Sequence, residues 1–152
     1  MKPFFIAFFV LLFISCNDDE NCLDKDYRAE NEEEIIEFID FNNLDASESG
    51  SGLFYVIDEP GTGAQPTQNS NVTVAYKGTF TNGDIFDQSD EDGISFDLNR
   101  VIPGWTEGIQ YFKEGGSGLL LIPAHLAYGS CDYNGIPGGS VLVFEVNLIS
   151  IN

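Results

Sequence analysis

Three patterns of apolar and polar positions follow one another along this chain. Phe4 to Ile14 is an unbroken apolar run behind Lys2. Residues 17 to 50 are mostly polar, with one stripe, Ile35, Phe38 and Ile39, at helical spacing. Asn31 and Glu34 stand before that stripe as a capping-box pair, which predicts a short helix over about 31–44. A lone helix of that length is marginal in water, so the stripe is expected to rest on the rest of the chain rather than on a partner. Ser47-Glu48-Ser49-Gly50-Ser51-Gly52 then has the composition of a linker.

From Leu53 the period shortens to that of strands. Leu53 to Ile57 is a short run of fully buried type, and Val72, Val74, Tyr76 and Phe80 alternate with Thr73, Ala75, Lys77 and Thr79 as on a sheet with one wet face. Asn82-Gly83 turns the chain back through Ile85-Phe86-Asp87 as a hairpin. Phe96 and Leu98 predict another strand, Leu119 to Ile122 a buried one, and Leu142, Phe144, Val146 and Leu148 the last. Between them Val101-Ile102-Pro103-Gly104-Trp105 opens a helix about two turns long, with Trp105, Ile109 and Phe112 on one face and Gly115-Gly116 as its end. Pro103 fixes the angle of approach, Gly104 lets the backbone come close, and the indole at the first turn points across whatever the helix covers. The fold class is α+β: an antiparallel sheet of five or six strands wrapped around one short helix over residues 51–152, preceded by a tether containing a short helix.

Composition changes how the first fifty residues are read. The Phe4–Ile14 run is too short to span a hydrocarbon core and has the form of a signal-peptide h-region, giving a leader over residues 1–15. Leu12-Phe13-Ile14-Ser15-Cys16 lacks a small-x-small cleavage site and resembles a bacterial lipobox, which makes Cys16 the expected lipidated N-terminus and residues 16–50 an acidic tether to the cell envelope. The sequence leaves the membrane face open. The formal net charge is −19, and 13 of the 25 acidic residues lie before residue 50, so nucleic acid is excluded as a partner and the extension reads as a solvated spacer. Cys22 and Cys131 lack C-x-x-C partners. In an oxidising compartment they could pair, tying the tether to a domain loop, but free thiols are the default expectation.

The spaced set Tyr76-x-Gly78, Gly83-x-x-Phe86-Asp87, Val101-Ile102-Pro103-Gly104-Trp105-x-Glu107-Gly108, Leu126-Ala127-Tyr128-Gly129 and Leu142-Val143-Phe144-Glu145-Val146 resembles the FKBP-type peptidyl-prolyl cis-trans isomerases. Each block alone is weak; their order and spacing together are specific. Gly61-Thr62-Gly63-Ala64-Gln65-Pro66 also fits that family's opening loop. The resemblance implies a pocket with Trp105 as floor, Tyr76, Phe86, Ile102 and Phe144 as walls, and Asp87 and Tyr128 as polar rim, these seven being the catalytic set. Val101, Phe96 and Ile136 are implied as further substrate-binding positions, with the Ile102 N–H and the Tyr128 hydroxyl donating to substrate carbonyls. Proline-containing polypeptides are the implied clients and FK506-like macrolides the implied small ligands; no metal or organic cofactor is implied. The acidic extension also resembles that of lipoprotein isomerases associated with gliding motility. Two rivals share these residues: a non-catalytic module that binds proline peptides, and a chaperone acting through the 31–44 stripe.

Two departures from the family pattern stand out. The loop Gln88-Ser89-Asp90-Glu91-Asp92-Gly93 lacks the Arg that many members set against the aspartate, so Asp87 needs hydrogen bonds from Tyr or backbone groups. The segment from Ser130 to Ile136 lacks the His of some relatives and carries Cys131, Asp132 and Tyr133 instead. As a calcium loop, the acidic stretch would put Gln88 first and Asn99 last, both poor ligands, so it reads as surface. His125 is the single histidine and reads as a loop residue.

Overall fold

The computed structural model describes residues 22–152; the leader and Cys16 lie outside the described residues. A 3-10 turn, Cys22–Asp24, leads into α1 (Arg28–Asn42). There follow β1 (Ser47–Glu48), β2 (Phe54–Glu59), β3 (Asn71–Thr79), β4 (Ile85–Gln88) and β5 (Ile94–Asp97). Then come α2 (Pro103–Gly108), β6 (Ser117–Ile122) and β7 (Leu142–Ile151). The seven strands form one sheet in the order β1-β2-β6-β7-β3-β4, with β5 pairing the first half of β3, and every pairing is antiparallel. The strand beyond the predicted five or six is β1, inside the stretch read as a linker: Ser47 pairs with Tyr55 and Glu48 with Phe54.

The sheet curls over α2, and the residues that alternate inward from β3, β6 and β7 meet Trp105, Ile109 and Phe112, all buried as their spacing predicts. Two glycines set how closely the helix approaches. A Cβ on Gly104 would collide with the Ile122 side chain, and one on Gly108 would stand 2.6 Å from Leu120. The helix stops earlier than the glycine pair suggests. It tightens into a 3-10 turn, Ile109–Tyr111, and Phe112 is already extended, because its ring turns back into the core; Gly115 instead makes the left-handed turn into β6.

The opposite face is not wholly wet. Ile35 is fully buried against Phe54, Leu121, Val141 and Val143, with Phe38 and Ile39 beside it, so the stripe of α1 docks on its own domain. This explains why Leu120, Leu121 and Ile122 are all buried in succession: β6 is covered on both faces. It also corrects the reading of β2 as uniformly buried, since Phe54 and Val56 are buried while Tyr55 and Ile57 are only partly so.

Asn31 does not cap α1. The helix begins one turn earlier, behind Tyr27 and without a side-chain cap. Asn31 lies inside it, buried, and its amide reaches residues 124 and 139 instead. Glu34 accepts from the Thr81 hydroxyl at 2.5 Å rather than closing a capping box. At the far end Asn43 takes the left-handed conformation that closes the helix. The default of free thiols is likewise overturned: Cys22 and Cys131 are joined in a disulfide, with Cα atoms 5.1 Å apart. Among the described residues no helix is long and apolar enough to cross a membrane.

Candidate functional site

Where β3, β7 and the first turn of α2 converge, side chains enclose an open hollow of about 490 Å³, within the ordinary range for small-ligand sites. Its floor follows from local sequence. Proline after Ile102 holds that residue extended (φ −57°, ψ 146°), and Pro103 occupies the first helical position, where its missing N–H costs nothing. The Ile102 carbonyl accepts from the N–H groups of Trp105 and Thr106, at 2.9 and 3.1 Å. The Ile102 N–H itself has no acceptor among the described residues.

Three rings stand around the indole. Tyr76 from β3 meets Trp105 edge-on at 5.1 Å, Phe144 from β7 does the same at 5.1 Å, and Phe96 from β5 tilts against it at 5.3 Å. The two edge-on contacts suit the ring quadrupoles, and the three together lock each ring by its neighbours. Trp105 is 5 % exposed, and its indole N–H is buried with no partner among the described residues.

The rim is polar. The Tyr76 hydroxyl donates to the Asp87 carboxylate at 2.6 Å, which supplies the hydrogen bond that the missing loop arginine made necessary. Burial, then the bond to Asp87 and its charge, pushes the Tyr76 phenol well above its ordinary range. Tyr128 is raised as well, first by burial, then by Tyr133 and Asp87. Both hydroxyls are therefore protonated donors at neutral pH.

Of the ten expected pocket residues, the structure brings Tyr76, Asp87, Phe96, Val101, Ile102, Trp105, Tyr128 and Phe144 to the hollow. Two stand elsewhere. Phe86 packs behind Phe144, edge-on at 5.4 Å, and against Phe80, so it braces a wall without lining it. Ile136 is buried in the main core, held by paired backbone bonds to Tyr133. Ile94, Arg100 and Tyr133 line the hollow and were not anticipated. Arg100 directly precedes Val101 and supplies the one cation among the lining residues; Tyr133 lies in the segment that departs from the family pattern, where sequence alone assigns it no role. His125 rests on the domain through a 3.0 Å contact between Nε2 and the Ser51 carbonyl.

An antiparallel sheet thus curls over one short helix and encloses an aromatic hollow floored by that helix's tryptophan. A sequence profile described as FKBP-type peptidyl-prolyl cis-trans isomerase matches residues 62–149. FkpA of Escherichia coli strain K12 is 47 % identical over 105 residues, covering 68 % of this chain and 39 % of that protein. FkpA of Buchnera aphidicola subsp. Baizongia pistaciae is 47 % identical over 109 residues, 70 % of this chain and 43 % of that one. The chain thus spans about two-fifths of the length of these curated relatives. Among solved structures, E. coli FkpA superposes with a TM-score of 0.74 at 40 % identity, covering 82 % of this chain and 61 % of that one. A peptidyl-prolyl cis-trans isomerase from Pseudomonas syringae superposes at 0.72 with 33 % identity, covering 85 % and 98 %. The chain belongs to the FKBP-type peptidyl-prolyl cis-trans isomerase family.

Proposed function

We propose that this protein catalyses cis–trans isomerisation of X-Pro bonds in exported or surface polypeptides and so assists their folding. The carrying observation is the open hollow in which three rings surround the Trp105 indole. Rotation about an X-Pro bond faces a barrier near 20 kcal/mol because the planar amide is resonance-stabilised and charge-separated. A twisted amide is less polar, so an apolar enclosure favours it over the planar ground state. No bond is made or broken. Each ~1.4 kcal/mol removed from the barrier is worth tenfold in rate, so modest complementarity suffices.

In this reading the prolyl ring lies on Trp105 between Tyr76, Phe96, Val101 and Phe144. The Ile102 N–H and the Tyr128 hydroxyl donate to carbonyls on either side of the bond, and Asp87, held by Tyr76, fixes the rim. Phe86 and Ile136 support the walls from behind rather than touching substrate. FK506-like macrolides are proposed to occupy the same space. An exported location is supported by the apolar run followed by Ser15-Cys16 and by the Cys22–Cys131 disulfide, a bond that oxidising compartments favour. Acylation of Cys16 would anchor the protein to the envelope, and Cys16→Ala is then expected to move it from the membrane fraction to the soluble one. A role in gliding motility would follow from the likeness of the acidic extension alone.

Turnover of a proline tetrapeptide separates the enzyme from a module that only binds. Asp87→Ala and Tyr128→Phe should each lower kcat/KM several-fold with an unchanged melting temperature. Full activity in both would contradict the assignment of the rim. The isomerase reading is favoured over the chaperone one because the α1 stripe is engaged by the domain, with Ile35 buried and Phe38 and Ile39 partly so.

A further inference from the structure

One side of the hollow's polar lip, Tyr128 and Tyr133, is carried by the segment from Ala124 to Gly139, which has no strand or α-helix of its own. Tyr128 and Tyr133 both belong to it, and their rings stack face to face at 4.8 Å and 9°, so the Tyr128 hydroxyl is placed only as well as this segment is placed. Internally it holds itself by the Gly139 N–H donating to Gly129 at 2.9 Å, the Gly138 N–H donating to Asp132 at 2.8 Å, and the paired Tyr133 and Ile136 bonds.

Three further contacts come from one place, the beginning of the described chain. Asn31 sits across the base of the segment: its Oδ1 accepts from the Ala124 N–H at 2.9 Å where the segment starts, and its Nδ2 donates to the Gly139 carbonyl at 2.8 Å where it ends. Both bonds are buried. The Tyr27 ring lies so close to the Gly139 α-carbon that any Cβ there would collide with it. Cys22 is bonded to Cys131, midway between the two stacked tyrosines. Cys22, Tyr27 and Asn31 all precede the stretch the family profile matches.

We propose that residues 22–31 are a clamp for the lip of the site, with Asn31 and the Cys22–Cys131 bond as positioning residues that hold Tyr128 over the hollow. The clamp acts on binding, because it orders a group that meets the substrate and does not alter the apolar floor where the bond twists. This rests on the isomerase reading only for its kinetic consequence.

The test compares wild type with Asn31→Ala and with the double variant Cys22→Ser/Cys131→Ser, whose altered atoms lie near the surface and leave the core intact. Two quantities are read: amide hydrogen exchange, and KM and kcat for a proline tetrapeptide. The clamp predicts exchange at Gly129, Tyr133, Ile136 and Gly139 accelerated at least tenfold more than any acceleration in β3 and β7, whose exchange reports the global loss of stability. It also predicts a KM at least threefold higher with kcat within twofold of wild type. Reducing wild type should reproduce the double variant, and reoxidation should restore it. Lip exchange accelerated no more than that of β3 and β7 in both variants overturns the clamp, as does an unchanged KM in an active enzyme. Wild type without turnover would overturn the isomerase reading instead, and the clamp would then be decided by exchange alone.

Discussion

At the scale of single residues, the site depends on polar groups whose partners the sequence could name only as needs. Asp87 lacks its usual cation, and Tyr76 answers by donating a hydrogen bond from the neighbouring strand. Tyr76→Phe removes that bond while keeping the ring against Trp105. With a hydrogen bond worth about 0.5–1.5 kcal/mol net, kcat/KM should fall roughly 2- to 10-fold with the fold intact. Burial of the two rim phenols, and for Tyr76 this bond after it, also sets a pH response. Tyr76 and Tyr128 hold their protons more tightly folded than unfolded, so their contribution to stability is complete below the ordinary phenol pKa of about 10. Above that, the unfolded chain ionises first and the contribution is lost as pH rises toward the folded values. Melting temperatures from pH 8 to 12 should therefore hold until about 10 and then fall, with a shallower fall in Tyr76→Phe. Asn31 shows the limit of residue-level reading: an asparagine three places before a glutamate carries the signature of a cap, and only the tertiary neighbours Ala124 and Gly139 show that its amide serves another purpose.

At the scale of elements, period-two alternation located the main strands, because a side chain's face in a sheet is set by position alone. Where that reading slipped, a second layer was responsible. Tyr55 and Ile57 face the main core while Phe54 lies under α1, a distinction that a run of apolar residues does not carry. The two-residue strand β1 was hidden in Ser- and Gly-rich composition that says nothing about pairing. The helix under the site was legible from its tryptophan and proline, and its glycines make a sharp prediction. Gly108→Ala places a methyl against the buried Leu120 side chain, which must repack or push α2, with Trp105, away from β6. The overpacking should cost about 1–3 kcal/mol in chemical denaturation. Ile35→Ala, on the opposite face, should cost about 2–5 kcal/mol by opening a cavity, and should leave peptide turnover nearly unchanged. An equal loss of activity in both variants would mean the two layers are not separate in function.

At the scale of the whole molecule, the described part of the stretch read as a tether packs on the domain. α1 covers one face of the sheet, β1 extends its edge, and the disulfide spans 109 residues of chain. No one-dimensional pattern could join Cys22 to Cys131, since pairing depends on Cα separation and direction. Closing so long a loop restricts the unfolded chain, and reduction should lower stability by about 2–5 kcal/mol by urea titration, with the sheet still formed. The aromatic hollow, by contrast, was nearly complete in what the family resemblance implied, since eight of the ten implied residues line it, all but Tyr128 from regular elements or their ends. Its lip was not, because Tyr133 lies in an irregular segment placed by contacts from far away in the chain. The central claim is that the indole-floored hollow twists the prolyl bond. The most direct measurement is the cis–trans exchange rate of a proline tetrapeptide with wild type and with Trp105→Leu, folding of both confirmed by circular dichroism. The account predicts catalysed exchange by wild type and a loss of about tenfold or more in the variant, equivalent to ~1.4 kcal/mol of barrier; equal rates for the two proteins would contradict it.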